Sequence, residues 1–178
     1  MTSDDAIALT QRWLERAVIG LNLCPFAKAV HGKGQIRWVL SAATNAGDLL
    51  DELRRELQLL AAADPEAIDT TLLIHPQLLT DFLDYNDFLD VADAALEDLH
   101  LDGTLQVASF HPRYQFAGTD ADDAGNLSNR SPHPMLHLLR EASVERAVAA
   151  FPDPEAIAEH NIATLRRLGL AGWRALLA

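Results

Sequence analysis

Three short strand-like runs separated by two helix-length segments limit what this chain can fold into more than any other feature. In residues 35–41, Ile36, Trp38 and Leu40 alternate with Arg37 and Val39, the two-residue period of a strand. Thr70–Ile74 is β-branched and apolar throughout, as suits a strand buried on both faces. Thr104–Phe110 reads as a third strand. Between them, Asn45–Ala63 and Thr80–Leu101 are helical by period, the first ending before Asp64-Pro65 and the second at Asp102-Gly103. Strands alternating with helices of this length favour right-handed βαβ crossovers. The expected fold is α/β: a small βαβαβ sheet, largely parallel, flanked by helices, with a ferredoxin-like α+β arrangement as the alternative. Three strands make a small sheet, so a fourth is sought in the irregular region that follows.

Ala6, Leu9, Trp13, Ala17 and Leu21 recur at three- and four-residue steps, which predicts an amphipathic helix over residues 4–19 with Gly20 as its stop. Residues 114–131, rich in Gly, Asp and Asn, read as a loop, of which residues 120–126 are expected to be mobile and could serve as a lid. Pro132 or Pro134 suits the first turn of a helix, expected to run through Met135, Leu138, Leu139, Val144 and Val148. Pro152 and Pro154 break the chain before a last helix over residues 155–168 and a short tail holding Trp173. With 178 residues, no internal repeat and no linker, one globular domain over residues 1–178 is expected.

Charge narrows the partners. The net charge of -12 argues against nucleic acid or an anionic membrane as the main partner. No apolar run reaches the roughly 18 to 20 residues of a spanning helix. The acidic start Met1-Thr2-Ser3-Asp4-Asp5 is unlike an export signal, and a single cysteine forms no internal disulfide, so a cytoplasmic location is expected. The charge is also unevenly spread: residues 48–102 hold 15 of the 26 acids and two bases, Arg54 and Arg55, whereas residues 16–47 hold no acid and the bases Arg16, Lys28, Lys33 and Arg37. From Gly103 to Arg140 three aspartates stand beside Arg113, Arg130, Arg140 and three histidines. Two neutral-to-basic segments in an acidic chain are either solvated helix faces or two walls of an anion pocket.

Several residues could carry chemistry. Two predicted strands end in His-Pro, at His75-Pro76 and His111-Pro112. In a parallel sheet both would sit at the carboxyl edge, where open α/β folds bind ligands, and imidazole suits proton transfer near neutrality. The plainer reading is an ordinary exit turn. Cys24 precedes Pro25; if a helix opens there, Cys24 is its N-cap, with Lys28 and His31 adding the positive charge that activates a thiol. The plainer reading is a packed cysteine. In the segment 129–141, a helix would place His133, His137 and Glu141 on one face and hold Arg140 beside them, while Arg130 and Arg140 suit a carboxylate or phosphate. The plainer reading is a buried ion-pair network. Arg113, Asn129 and Asn22 complete the expected ligand-binding set. The aspartates at 81, 84, 87, 90 and 93 drift around a helix and read as solvated surface, and residues 120–126 miss the spacing of a calcium loop.

These strings resemble a bacterial family defined as a conserved domain of unknown function. The resemblance rests on Gly20–Ala27 (GLNLCPFA), Asp81-Phe82 with Asp84-Tyr85-Asn86, Phe110-His111-Pro112 with Tyr114 and Phe116-Ala117-Gly118, Asn126, Asn129-Arg130-Ser131-Pro132, and Leu136–Glu141 (LHLLRE). It covers nearly the whole chain and implies that Cys24, His111, Arg130, His137, Arg140 and Glu141 stand on family motif positions. It brings no activity. At the place of His133 it leads one to expect an aromatic residue, often tyrosine, which weakens a two-histidine zinc site.

The functional expectation is an enzyme acting on a small anionic substrate. Arg130 and Arg140 would hold the anion, His111 or His137 would move a proton with Glu141 in support, and Cys24 would be nucleophile or acid. The alternatives are a non-catalytic metabolite-binding or regulatory module, and a zinc protein using Cys24, His111 and His137. No cofactor and no metal ligand is assigned.

Overall fold

The computed structural model describes residues 3–178; of the acidic start, Met1 and Thr2 lie outside them. Helix α1 (Ser3–Trp13) runs into a π-helical turn, Leu14–Ile19, and is followed by the short α2 (Ala27–Gly32). Strand β1 (Ile36–Leu40), α3 (Ala46–Ala62), β2 (Thr70–Ile74), α4 (Phe82–Asp98) and β3 (Leu105–Phe110) then alternate as the sequence predicts. Asn45 caps α3 by accepting from the Asp48 N–H, and Asp81 caps α4 by accepting from Leu83 and Asp84. The aspartates at 81, 84, 87, 90 and 93 are exposed, as a solvated face requires.

The largest departure from expectation follows β3. A 3₁₀ helix forms at Ala124–Asn129, and the segment expected to be one long helix is strand β4 (Met135–Arg140) followed by α5 (Glu141–Ala149). Helix α6 (Pro154–Leu177) completes the chain, with a break at Gly169, whose φ of +70° is a conformation that glycine accepts readily. The run Met-Leu-His-Leu-Leu is apolar at both the strand and the helix period, because β4 is buried on both sides of the sheet. Pro132 and Pro134 precede an extended segment instead of opening a helix.

The sheet order is β1-β2-β4-β3. β1 and β2 are parallel, Ile36 opposite Thr70 and Leu40 opposite Ile74. β4 is antiparallel to both of its neighbours, with Met135 opposite Ile74 and Phe110. The three expected strands do run in one direction, but β4 lies between β2 and β3. The expected largely parallel sheet is therefore a mixed, mostly antiparallel one.

Alternation along the strands divides the core. Leu73, Leu105, Leu136 and Leu138 pack with Leu49, Leu53, Leu57, Tyr85 and Phe88 of α3 and α4. Leu72, Ile74 and Met135 face the other way, onto Trp13, Leu14, Ala17, Leu165 and Trp173. The acid-rich segment 48–102 thus supplies both helices of one face, while α1 and α6 cover the other. No helix among the described residues is long and apolar enough to cross a membrane.

Candidate functional site: an arginine cleft at one end of the sheet

β1, β2 and β3 end, and β4 begins, along one edge of the sheet. His75 and His111 both lie there, as the two His-Pro dipeptides predict. The His75 N–H donates to the Pro134 carbonyl at 3.0 Å, joining the end of β2 to the start of β4. Its Nδ1 donates to the Leu78 carbonyl at 2.9 Å, and its Nε2 is buried with no hydrogen-bond partner. Burial drives the imidazole pKa from 6.5 down to about 4.

His111 is held at both nitrogens: Nε2 donates to Leu79 O at 3.1 Å, and Nδ1 accepts from the Arg113 N–H at 3.0 Å. Its ring packs against Tyr85 and Phe82, with centroids 5.0 and 5.4 Å apart, and burial lowers its pKa. Proton exchange with a ligand would require breaking one of these hydrogen bonds. Beneath it, the fully buried Tyr85 hydroxyl donates to Met135 O at 2.7 Å and accepts from the Phe110 N–H at 3.0 Å.

The other candidates are dispersed. Arg140 and Glu141 lie at the opposite end of the sheet, where Arg140 pairs with Leu105 and its guanidinium donates to the carbonyls of Ala63 and Ile68 at 3.0 and 2.8 Å. His137 sits mid-strand between Leu72 and Ala108. Its Nε2 meets the Thr70 hydroxyl at 2.7 Å, and burial brings its pKa to about 4. Because 135–140 is a strand, His133, His137 and Glu141 do not stack on a helical face. His133 is buried beside Pro134, its Nε2 without a partner.

Cys24 is exposed and is not an N-cap, since α2 begins at Ala27 with Phe26 in the capping position. Of the residues expected to activate it, His31 pairs with Glu15 at 3.0 Å. Asn22 lies nearby with a φ of +53° and is exposed. Arg113 donates to Thr80 O and approaches Asp81 at 3.5 Å. Asn129 bonds Ser109 O through Nδ2 and accepts from Ser128. Among the described residues, no three His, Cys, Asp or Glu side chains gather as metal ligands.

What the fold does assemble is a cleft of about 270 Å³ built by three separate parts of the chain. α1 contributes Leu9, Arg12 and Trp13; the segment leading to β4 contributes Arg130, Ser131 and Pro132; the part of α6 beyond Gly169 contributes Trp173 and Arg174. Three guanidinium-bearing residues line it and no acidic residue does. None of the five ion pairs among the described residues involves Arg12, Arg130 or Arg174. Arg130 donates to Tyr114 O at 2.9 Å and Ala121 O at 2.6 Å, and burial lowers its pKa because no anion offsets its lost hydration. The buried indole N–H of Trp13 has no acceptor. Arg16 donates to the main-chain oxygens of Leu176 and Ala178, fastening the α6 wall to the helix pair opposite. Only Arg130 of this cleft stands out in the sequence. Arg12 and Arg174 lie on amphipathic helices, outside both of the basic segments.

The loop at 114–131, which includes the expected lid segment 120–126, is tied together by hydrogen bonds of its own. Asn126, fully buried, accepts from the Phe116 N–H and the Thr119 hydroxyl at 3.0 Å each, and donates to Asp120 O at 2.9 Å. Asp123 is tied to Arg166 at 3.0 Å. Replacing Asn126 by Leu takes this partner from the Phe116 N–H and the Asp120 carbonyl, while the Thr119 hydroxyl keeps the Phe116 carbonyl at 2.8 Å. Chemical denaturation of Asn126→Leu is expected to show about 1–3 kcal/mol of lost stability, and a loss below about 0.5 kcal/mol would overturn the clasp.

The chain belongs to the family described as protein of unknown function (DUF1415), whose model matches residues 5–175. No curated protein matches it. No solved structure does either.

Proposed function

We propose that this family member binds a small anion, a carboxylate or phosphate, in the cleft of Arg12, Arg130 and Arg174, as a metabolite-binding or regulatory module. The supporting observation is the set of three arginines around one cleft without an acidic residue. Guanidinium groups form bidentate, charge-assisted hydrogen bonds with such anions. A volume of about 270 Å³ lies just below that of ordinary ligand sites, which run about 300–1,000 Å³, and favours a small ligand. Binding is favoured over turnover because Cys24 and His137 are absent from the cleft lining and both nitrogens of His111 are engaged.

Trp13 and Trp173 line the cleft and report on it. Titration with inorganic phosphate or malonate at low salt is expected to give a saturable change in tryptophan fluorescence that weakens as sodium chloride is added. Arg12→Ala and Arg174→Ala are each expected to weaken binding about 10-fold or more, the worth of one charge-assisted hydrogen bond. Absence of saturation with either probe, or affinities unchanged in both variants, would overturn the proposal.

A further inference from the structure

Anion capture accounts for only part of the arginine cleft. Of its twelve lining residues, three are arginines and eight are apolar; the twelfth, Ser131, donates its hydroxyl to His133 O at 2.6 Å. An inorganic anion held by guanidinium groups alone would leave this apolar majority facing water. Leu9, Leu170 and Leu177 are each half-buried and come from two different walls, Leu9 from α1 and the other two from α6 beyond Gly169. Leu9 belongs to neither of the two core clusters, so core packing does not account for an apolar side chain at its place. A site that is mostly apolar with a few convergent polar groups holds a ligand by its body and orients it by its polar end.

The available donors select the head group. With Ser131 committed, the charged donors are the guanidinium groups, and Arg130 already gives Nε and Nη2 to the carbonyls of Tyr114 and Ala121. A carboxylate has two oxygens, which one planar guanidinium fork can satisfy. A phosphate carries more charge and a third terminal oxygen, and any oxygen set against the apolar lining loses its hydration without replacement.

Resting on the anion reading of this cleft, we infer that its ligand class is organic monocarboxylates with an apolar body the size of a single ring. The carboxylate meets Arg12, Arg130 and Arg174, and the body lies on Leu9, Leu170 and Leu177.

Calorimetric titration of the full chain at low salt tests this with cyclohexanecarboxylate, acetate, inorganic phosphate and cyclohexylmethanol. Each methylene taken out of water is worth roughly 4-fold in affinity, so the ring acid is expected to bind about 5-fold or more tighter than acetate or phosphate. Cyclohexylmethanol keeps the ring and loses the charge, and is expected to bind about 5-fold or more weaker than the acid. Leu9→Gln and Leu170→Gln, with unchanged circular dichroism spectra, are each expected to lower the ratio of ring-acid to phosphate affinity about 3-fold or more. A smaller advantage over acetate or phosphate, an alcohol that binds as tightly as the acid, or a ratio unmoved in both leucine variants would overturn the inference. If phosphate and malonate bind while the ring adds nothing, the inference falls and the anion reading stands; if no anion binds, both fall.

Discussion

Between pH 7 and pH 4 the protein is expected to lose about 6 kcal/mol of stability through two buried histidines, enough to unfold a typical domain. The folded-state pKa of His75 and of His137 lies at about 4, against 6.5 for the unfolded ring, with burial as the main cause in each. Leu78 O beside His75 and Asp69 near His137 oppose the shift without cancelling it. A depressed histidine pKa means that the unfolded chain takes up protons first. The contribution is therefore complete above about pH 6.5 and disappears as pH falls toward about 4, at about 3 kcal/mol for each ring. Urea midpoints measured from pH 7 down to pH 4.5 should fall steadily. His137→Leu should make the slope shallower, because an apolar ring substitute has no proton to take up. A midpoint constant over this interval would show that neither imidazole is held neutral by the fold.

Tyr85→Phe is expected to destabilise the protein by about 2–4 kcal/mol although it removes only one atom. The lost oxygen serves Met135 O and Phe110 N at once, and each buried backbone group left unpaired costs about 1–3 kcal/mol. Tyr85→Ala adds a cavity beside His75, His111 and Phe82, for a further loss of about 3 kcal/mol or more. Guanidinium denaturation of the two variants separates the hydroxyl from the ring. If Tyr85→Phe falls within about 0.5 kcal/mol of wild type, the hydroxyl is not what joins α4 to the β3–β4 edge.

The sequence carries the first three strands clearly, because their period and their flanking breakers agree. It also places His75 and His111 at one edge, since three strands do share a direction. It misleads at Met135–Arg140, where a strand covered on both faces has no alternation to display and two prolines mimic a helix start. That misreading carries the expected site with it: Arg140 and Glu141 go to the far end of the sheet, and His137 to its middle. The arginine cleft is invisible for a different reason. Arg12 and Arg174 line one cleft although they stand at opposite ends of the sequence, on either side of the whole sheet, and no local pattern encodes such a convergence. Cys24 and Asn129, in contrast, are both in the expected set and do share a cleft, although its character is apolar and not that of an anion pocket.

The central position of β4 has a consequence for how the protein is made. β3 pairs with β4 alone, and β4 also covers the free side of β2. While the ribosome has delivered only the first three strands, β3 has no partner and β2 is open along one side, two unpaired rows of backbone donors and acceptors. Such rows invite strand addition from neighbouring nascent chains. The six residues Met135–Arg140 arrive last among the strands and close both rows at once, so completion of the sheet is a single late event and not a gradual accretion.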